Sequence, residues 1–243
     1  MGRFLGLIYG AASYALFFLV FLYAVGFVGG FAVPKAIDTG PPAPLAEALI
    51  VDLLLLGVFA VQHSLMARPA FKRWWIRFVP EPVERSTYVL LSSLALVLLY
   101  WQWRPMSDPI WTMTNPAAAA VIWAVFWIGW GVVLLSTFLI SHFELFGLRQ
   151  VWTNLSGRAP VSTAFRTPLL YRVVRHPIYL GFILAFWATP TMSAGHLLFA
   201  VMTTAYILIG IQLEERDLIG VFGDVYVSYR RRVSMLIPLP PKS

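Results

Sequence analysis

Arg175-His176-Pro177-Ile178-Tyr179-Leu180-Gly181 sets a guanidinium, an imidazole and a phenol within about one helical turn. The apolar run beyond it ends in Glu214-Glu215-Arg216-Asp217-Leu218, followed by Phe222-Gly223-Asp224-Val225-Tyr226-Val227-Ser228-Tyr229-Arg230-Arg231-Arg232. Ionisable groups are costly near bilayer hydrocarbon, so two such clusters bracketing one apolar hairpin read as a site. Carboxylates, an imidazole and tyrosines at a membrane surface suit a polar, cationic cofactor serving an apolar substrate. Pro177 lacks an amide hydrogen and favours a first helical turn, which puts His176 at the start of a helix. Tyr179, three residues on, shares its face. The first-turn amides beside it favour an anionic group such as a ligand carboxylate, to which Arg175 could add. Glu214 and Glu215 bring the opposite sign and suit an α-amino group, ribose hydroxyls or a sulfonium. Each cluster alone also has a plain reading, as a snorkelling Arg-His-Tyr group or as surface Glu–Arg pairs of small energy. Their positions at the two ends of one hairpin favour a shared site.

Two further groups carry titratable side chains. Asp52 and His63 stand about three helical turns apart, roughly 16 Å, and share a face. His63 is placed to hydrogen-bond a substrate or act as a base, or else to bond a neighbouring helix; Asp52 reads as structural or interfacial. Ser141-His142-Phe143-Glu144 ends another apolar run, so His142 and Glu144 are open to cofactor contact, base chemistry, or helix capping and surface pairing. His196 sits at the far interface and is assigned no role. The chain has no cysteine, which excludes disulfides, a thiolate nucleophile and Cys-based metal sites. The spacing of His, Asp and Glu matches no zinc site, and there is no glycine-rich phosphate loop.

The elements that position these groups are membrane helices. Hydrophobic residues make up 59% of the 243 residues and charged ones only 12%, in long apolar runs that exclude a soluble domain. Spans of about 20 apolar residues are expected at 4–33, 45–66, 86–103 and 117–140. The first resembles a signal peptide but is far longer than a signal core and reads as an uncleaved helix. The fifth, 178–190, is short, and a tight Thr191–Ala194 link returns the chain into the sixth, 195–213. Arg68–Val79 reads as an amphipathic helix lying on the membrane. A tail helix from Glu214 is expected to stop at Gly223, with Asp224 capping the next turn. Of the 18 Lys and Arg, only Lys35 and Arg104 fall on the side opposite the other loops and the tail. That bias points to both termini in the cytoplasm. It accounts for the +7 charge through anionic lipid headgroups rather than nucleic acid. The expectation is an all-α polytopic membrane bundle of about six membrane segments with cytoplasmic amphipathic helices. It forms one domain over 1–243, with a cofactor-binding part at about 142–233.

The pattern Tyr171-x3-Arg175-His176-Pro177-x-Tyr179-x-Gly181 with Glu214-Glu215-x2-Leu218-x3-Phe222-Gly223-x2-Tyr226-x2-Tyr229-x2-Arg232-Val233 resembles the integral-membrane methyltransferases that include isoprenylcysteine carboxyl methyltransferase. One departure is that the glycine usual just before the motif tyrosine is Leu169 or Leu170 here. Three further segments are similar to the methanethiol S-methyltransferase family. These are Gln62-His63-Ser64-Leu65-Met66-Ala67-Arg68-Pro69, Pro80-x-Pro82-Val83-Glu84-Arg85-Ser86-Thr87-Tyr88, and Leu139-Ile140-Ser141-His142-Phe143-Glu144-Leu145-Phe146-Gly147-Leu148-Arg149-Gln150-Val151. The early motifs are partly shared with NnrU-like membrane proteins.

The resemblance implies S-adenosylmethionine bound from the cytosol. Tyr171, His176 and Tyr179 would line it with Arg175, Pro177 and Ile178, and Glu214 would hold its ribose or amino-acid part. It further implies methylation of a small volatile thiol, methanethiol, to dimethyl sulfide in a bacterial inner membrane. His63 and His142 are then the candidate proton acceptors, with Tyr88 or Arg68 as thiolate stabilisers. Two alternatives stand beside it: methylation of a lipid or prenylated carboxylate, and a non-catalytic NnrU-like role in assembly or transport.

Overall fold

The computed structural model describes residues 2–158 and 165–238. Lys242 and part of the 147–175 loop lie outside the described residues. In chain order the elements are α1 (Gly2–Gly29), α2 (Leu45–Ala67), α3 (Pro69–Trp75), α4 (Glu81–Gln102), β1 (Pro109–Thr112), α5 (Pro116–Ile140), α6 (His142–Leu145) and α7 (Leu148–Leu155). A 3-10 turn at Leu169–Arg172 precedes α8 (Pro177–Trp187), β2 (Thr191–Ser193), α9 (Ala194–Phe222) and α10 (Asp224–Arg232). Among the described residues, five helices (α1, α2, α4, α5 and α9) are long and apolar enough to cross a membrane. The protein is an all-α polytopic membrane protein. The expected short segment is α8, whose 11 residues reach only about 16 Å at roughly 1.5 Å per residue, well short of hydrocarbon about 30 Å thick.

The described residues gather into two compact units, 2–107 with 142–158, and 108–141 with 165–238. In the first unit α4 packs on both α1 and α2, and α7 packs on α1 and α4. α4 suits this position because Ser86, Ser92 and Ser93 are small and buried along it, which lets neighbouring backbones approach. The two cations of the sparsely charged side have a structural task at its C-terminus. Lys35 Nζ donates to Trp101 O at 2.6 Å and Arg104 Nη1 to Gln102 O at 2.7 Å. Cations there satisfy the last carbonyls and oppose the helix dipole. Asp52, fully buried, accepts from the Arg104 amide at 2.9 Å, in line with its structural reading.

In the second unit α5 lies along α8, and α9 packs against α8 and α10. Asn115 caps α5, its Oδ1 accepting from the Ala117 and Ala118 amides at 2.9 and 3.1 Å. Ser193 caps α9 by accepting from His196 N at 3.0 Å. The structure corrects three expectations here. Thr191–Ser193 is a strand rather than a plain link, pairing antiparallel with β1. The tail helix is continuous with the last span, since α9 runs unbroken through Glu214 and Glu215 to Phe222. Apolar periodicity fades at Glu214, but helix hydrogen bonding does not depend on it. Gly223 (φ +55) provides the break, a backbone conformation that glycine adopts without a Cβ clash. Gly223 is also the cap of α10; Asp224 falls inside the first turn, where its charge favours the helix dipole without capping.

Candidate functional site

His176 directly precedes α8, with Pro177 opening the first turn as expected. Its ring lies tilted against Tyr179, with centroids 5.6 Å apart. The two adjacent glutamates of α9 take different roles because consecutive helical side chains diverge by about 100°. Glu215 turns inward, its side chain 8% exposed, while Glu214 stays at the rim with 40% exposed. Tyr179 Oη donates to Glu214 Oε2 at 2.8 Å. His176 Nε2 lies 3.1 Å from Glu215 Oε1. A carboxylate only accepts, so Nε2 carries the proton of that bond. Nδ1, 3.9 Å from Glu214, is beyond hydrogen-bond range of it and lies on the rim side of the ring.

Arg175 departs from its expected direction. Its Nε donates to Glu215 Oε1 at 2.7 Å, and Nη1 donates to Arg230 O at 3.0 Å and to Val233 O. Arg230 Nε adds a contact of 3.4 Å to Glu215 Oε2. Glu215 thus gathers three cationic or imidazole partners, a role that sequence reasoning did not single out. The Glu-Glu doublet was the available signal: two neighbours on a helix cannot both face one ligand.

Tyr171 is buried on the 3-10 turn, its hydroxyl 3.4 Å from Ser136 O. Burial, with the Glu214 charge next, pushes its phenol well up, so it stays a neutral donor. Tyr229 Oη donates to Tyr171 O, and burial raises the Tyr229 phenol to about 12. Leu169, one of the two positions where related motifs carry glycine, has φ +37. A leucine there holds strain that glycine would relieve. Pro177 is buried, and Ile178 follows it in the first turn of α8. The sequence motif therefore comes together in space, with Glu214 and Tyr179 at the rim and His176, Arg175 and Glu215 buried beneath them.

The donor set suits a ligand carrying both charge signs. Glu214 presents a carboxylate, and the positive end of the α8 dipole lies at Pro177. Tyr226 Oη is buried without a hydrogen-bond partner among the described residues, and Glu215, Arg175 and Glu214 are the charges that act on it. A buried, unsatisfied hydroxyl costs roughly 1–3 kcal/mol, so one sited here favours a polar ligand.

His63 and His142 both belong to the first unit. Tyr88 Oη lies 3.0 and 2.9 Å from the two ring nitrogens of His63, and Ser92 Oγ lies 3.2 Å from Nδ1. Arg85 sits over the Tyr88 ring at 4.8 Å and donates to Leu145 O at 2.7 Å. Arg68, named as a thiolate stabiliser, donates through Nε to Ser64 O at 3.2 Å. His142 is buried, with Tyr14 Oη 2.8 Å from its Nε2, a partner with no sequence signal. Burial lowers the His142 pKa, so the imidazole is neutral near pH 7. Glu144 pairs with Arg149 at 2.7 Å, the plain reading of that residue. His196 Nε2 donates to the Phe186 carbonyl at 2.8 Å and packs within α8–α9.

No family model matches the chain, and no solved structure matches it. Among curated proteins it is 60% identical to a methanethiol S-methyltransferase of Mycobacterium tuberculosis, over 99% of this chain and 98% of that protein. It is 53% identical to the methanethiol S-methyltransferase of Pseudomonas deceptionensis, over 96% of this chain and 89% of that protein. At greater distance it is 33% identical to mouse Nurim, over 72% of this chain and 69% of that protein. Identity at this level over nearly the whole length leads to one conclusion: the chain belongs to the methanethiol S-methyltransferase family.

Proposed function

We propose that this protein transfers a methyl group from S-adenosylmethionine to the sulfur of methanethiol, giving dimethyl sulfide, S-adenosylhomocysteine and a proton. The thiol and the reaction type are supported by the full-length relatives. The donor's identity is supported by Glu214 and Tyr179 at the rim with His176 beneath them, which together offer a carboxylate, a hydroxyl and an imidazole to a cationic, hydroxyl-bearing ligand. When bound, S-adenosylmethionine supplies an electrophilic methyl on a sulfonium.

The chain's own residues do the rest. Glu214 holds the ribose or amino-acid part, Tyr179 fixes that carboxylate, and His176 accepts from the ligand through Nδ1. Trp130, Phe182, Phe186 and Phe199 form an aromatic interior in the same unit, keeping it dry. Low polarity favours a reaction in which opposite charges are neutralised, because little hydration of a thiolate has to be removed at the barrier. The thiol proton is assigned to His63 or His142, each a buried or half-buried imidazole beside a tyrosine hydroxyl. The excess of Lys and Arg in loops 67–85 and 147–175 supports an inner-membrane orientation with the termini and the cofactor rim in the cytoplasm.

The test is headspace detection of dimethyl sulfide from cells producing the protein and supplied with methanethiol. Dimethyl sulfide above the level of vector-only cells is expected. Labelled lipid or other methylated thiols without dimethyl sulfide would overturn the substrate assignment. In the purified protein, His63→Ala is expected to lower kcat by roughly 100-fold and to leave S-adenosylmethionine affinity within about twofold. An unchanged kcat would remove His63 from the mechanism.

A further inference from the structure

The residues after α10 run back along the segment that carries the site. Val174 and Ser234 form a parallel bridge, Arg175 N donates to Ser234 O at 2.8 Å, and His176 N donates to Met235 O at 3.2 Å. Side chains fasten the same contact. Arg175 reaches the carbonyls of Arg230 and Val233 and also the carboxylate of Glu215. Tyr229 hydrogen-bonds the Tyr171 carbonyl, one turn upstream. The Arg175 and Glu215 side chains are only 10% and 8% exposed, so neither is a mobile surface group. Among the described residues, the guanidinium of Arg175 hydrogen-bonds to α9, α10 and the segment that follows α10.

From this arrangement we infer that residues 233–235 are a built-in strap of the cofactor site, and that Arg175 and Glu215 are positioning residues which lock it. Neither acts as a ligand group. The strap satisfies the amides of Arg175 and His176, which fixes the backbone from which His176 enters α8. Glu215 then holds the imidazole through Nε2, leaving Nδ1 toward the rim. Adjacent Glu214 keeps the ligand-facing part. The inference rests on the cofactor reading above, but its structural half is independent of it.

The experiment compares the full-length protein in detergent with a chain ending at Arg232, with Arg175→Ala and Arg175→Lys, and with Glu215→Gln. Hydrogen exchange of the Arg175 and His176 amides is read first, in the absence of any ligand. The strap predicts exchange at least about tenfold faster in the shortened chain, with the amides of α5 unchanged. Isothermal titration with S-adenosylmethionine and steady-state kinetics follow. Arg175→Ala and Glu215→Gln are expected to raise Kd and KM for the cofactor about tenfold or more, with kcat at saturation within about threefold. Arg175→Lys is expected to recover part of the loss, since an ammonium can keep the Glu215 contact but not both carbonyls. Unchanged exchange at Arg175 and His176 in the shortened chain would overturn the strap. A collapse of kcat at saturating cofactor would overturn the positioning role in favour of direct participation. If the full-length protein binds no S-adenosylmethionine, the cofactor reading fails, and the exchange result alone decides the strap.

Discussion

Glu214→Ala is expected to weaken S-adenosylmethionine binding about 10- to 150-fold, the equivalent of about 1.5–3 kcal/mol for hydrogen bonds to a charged group. The carboxylate is placed for this by two features. It is 40% exposed at the rim, so a ligand can reach it, and Tyr179 Oη holds one oxygen at 2.8 Å. Its neighbour Glu215 is tied up below with Arg175, His176 and Arg230 and cannot substitute. His176→Ala should act in the same direction, because it removes the imidazole beneath the rim and leaves the buried Glu215 carboxylate with one partner fewer. Titration calorimetry on the two variants checks both. Wild-type affinity in both would show that the ligand sits elsewhere.

Gly181→Leu is expected to lower the thermal midpoint in detergent more than any rim substitution. The glycine is required by a close crossing of α5 and α8. A Cβ at Gly181 would stand 2.7 Å from Gly129 O and 2.8 Å from Val133 N, and a Cβ at Gly129 would stand 2.6 Å from Ala185 N. These obstacles are backbone, which cannot rotate away, so the helices must separate. Overpacking of this kind costs about 3 kcal/mol, or roughly 6–12 °C in a chain of this size. Separation would also shift the first turn of α8, and cofactor affinity should fall with stability. Gly131→Ala is the control: nothing lies within 4 Å of a Cβ there, and alanine is the better helix former by about 1 kcal/mol. Equal midpoints for Gly181→Leu and Gly131→Ala would refute the close crossing.

The parts legible in the sequence are those whose physics is local. A span announces itself because a bilayer demands a long apolar run, and α2 and α5 begin and end within a residue of the expected bounds. Pro177 marks the start of α8 for an equally local reason, its missing amide hydrogen. Asn115 and Ser193, caps that the sequence reading did not single out, rest on equally local hydrogen bonds. What stayed hidden depends on contacts far apart in the chain. Arg175 carries a charge suited to a ligand carboxylate, yet the partner it finds is Glu215, brought up by α9. The strap has no composition that marks it; Ser234 and Met235 become part of the site only by pairing with Val174–His176. The antiparallel pair of Pro109–Thr112 and Thr191–Ser193 joins two loops on either side of α5 and α8, a register that neither loop encodes alone. His142 was visible as a histidine at a helix end, whereas Tyr14, its partner, lies inside an apolar run with nothing to distinguish it.

The difference between Glu214 and Glu215 is the most instructive of these. Sequence places two carboxylates at one end of a hairpin and treats them as a pair. The helix separates them, giving one to the rim and the other to the framework. The proposed roles follow that separation: Glu214 stays open to a ligand, while Glu215 is held by His176 and Arg175.

The most direct test of the whole account uses purified protein, methanethiol, and S-adenosylmethionine carrying a trideuterated methyl group. Gas chromatography with mass detection should find dimethyl sulfide heavier by three mass units, formed in step with S-adenosylhomocysteine, and much reduced with Glu214→Ala. Unlabelled dimethyl sulfide, or S-adenosylhomocysteine released with no volatile product, would contradict it.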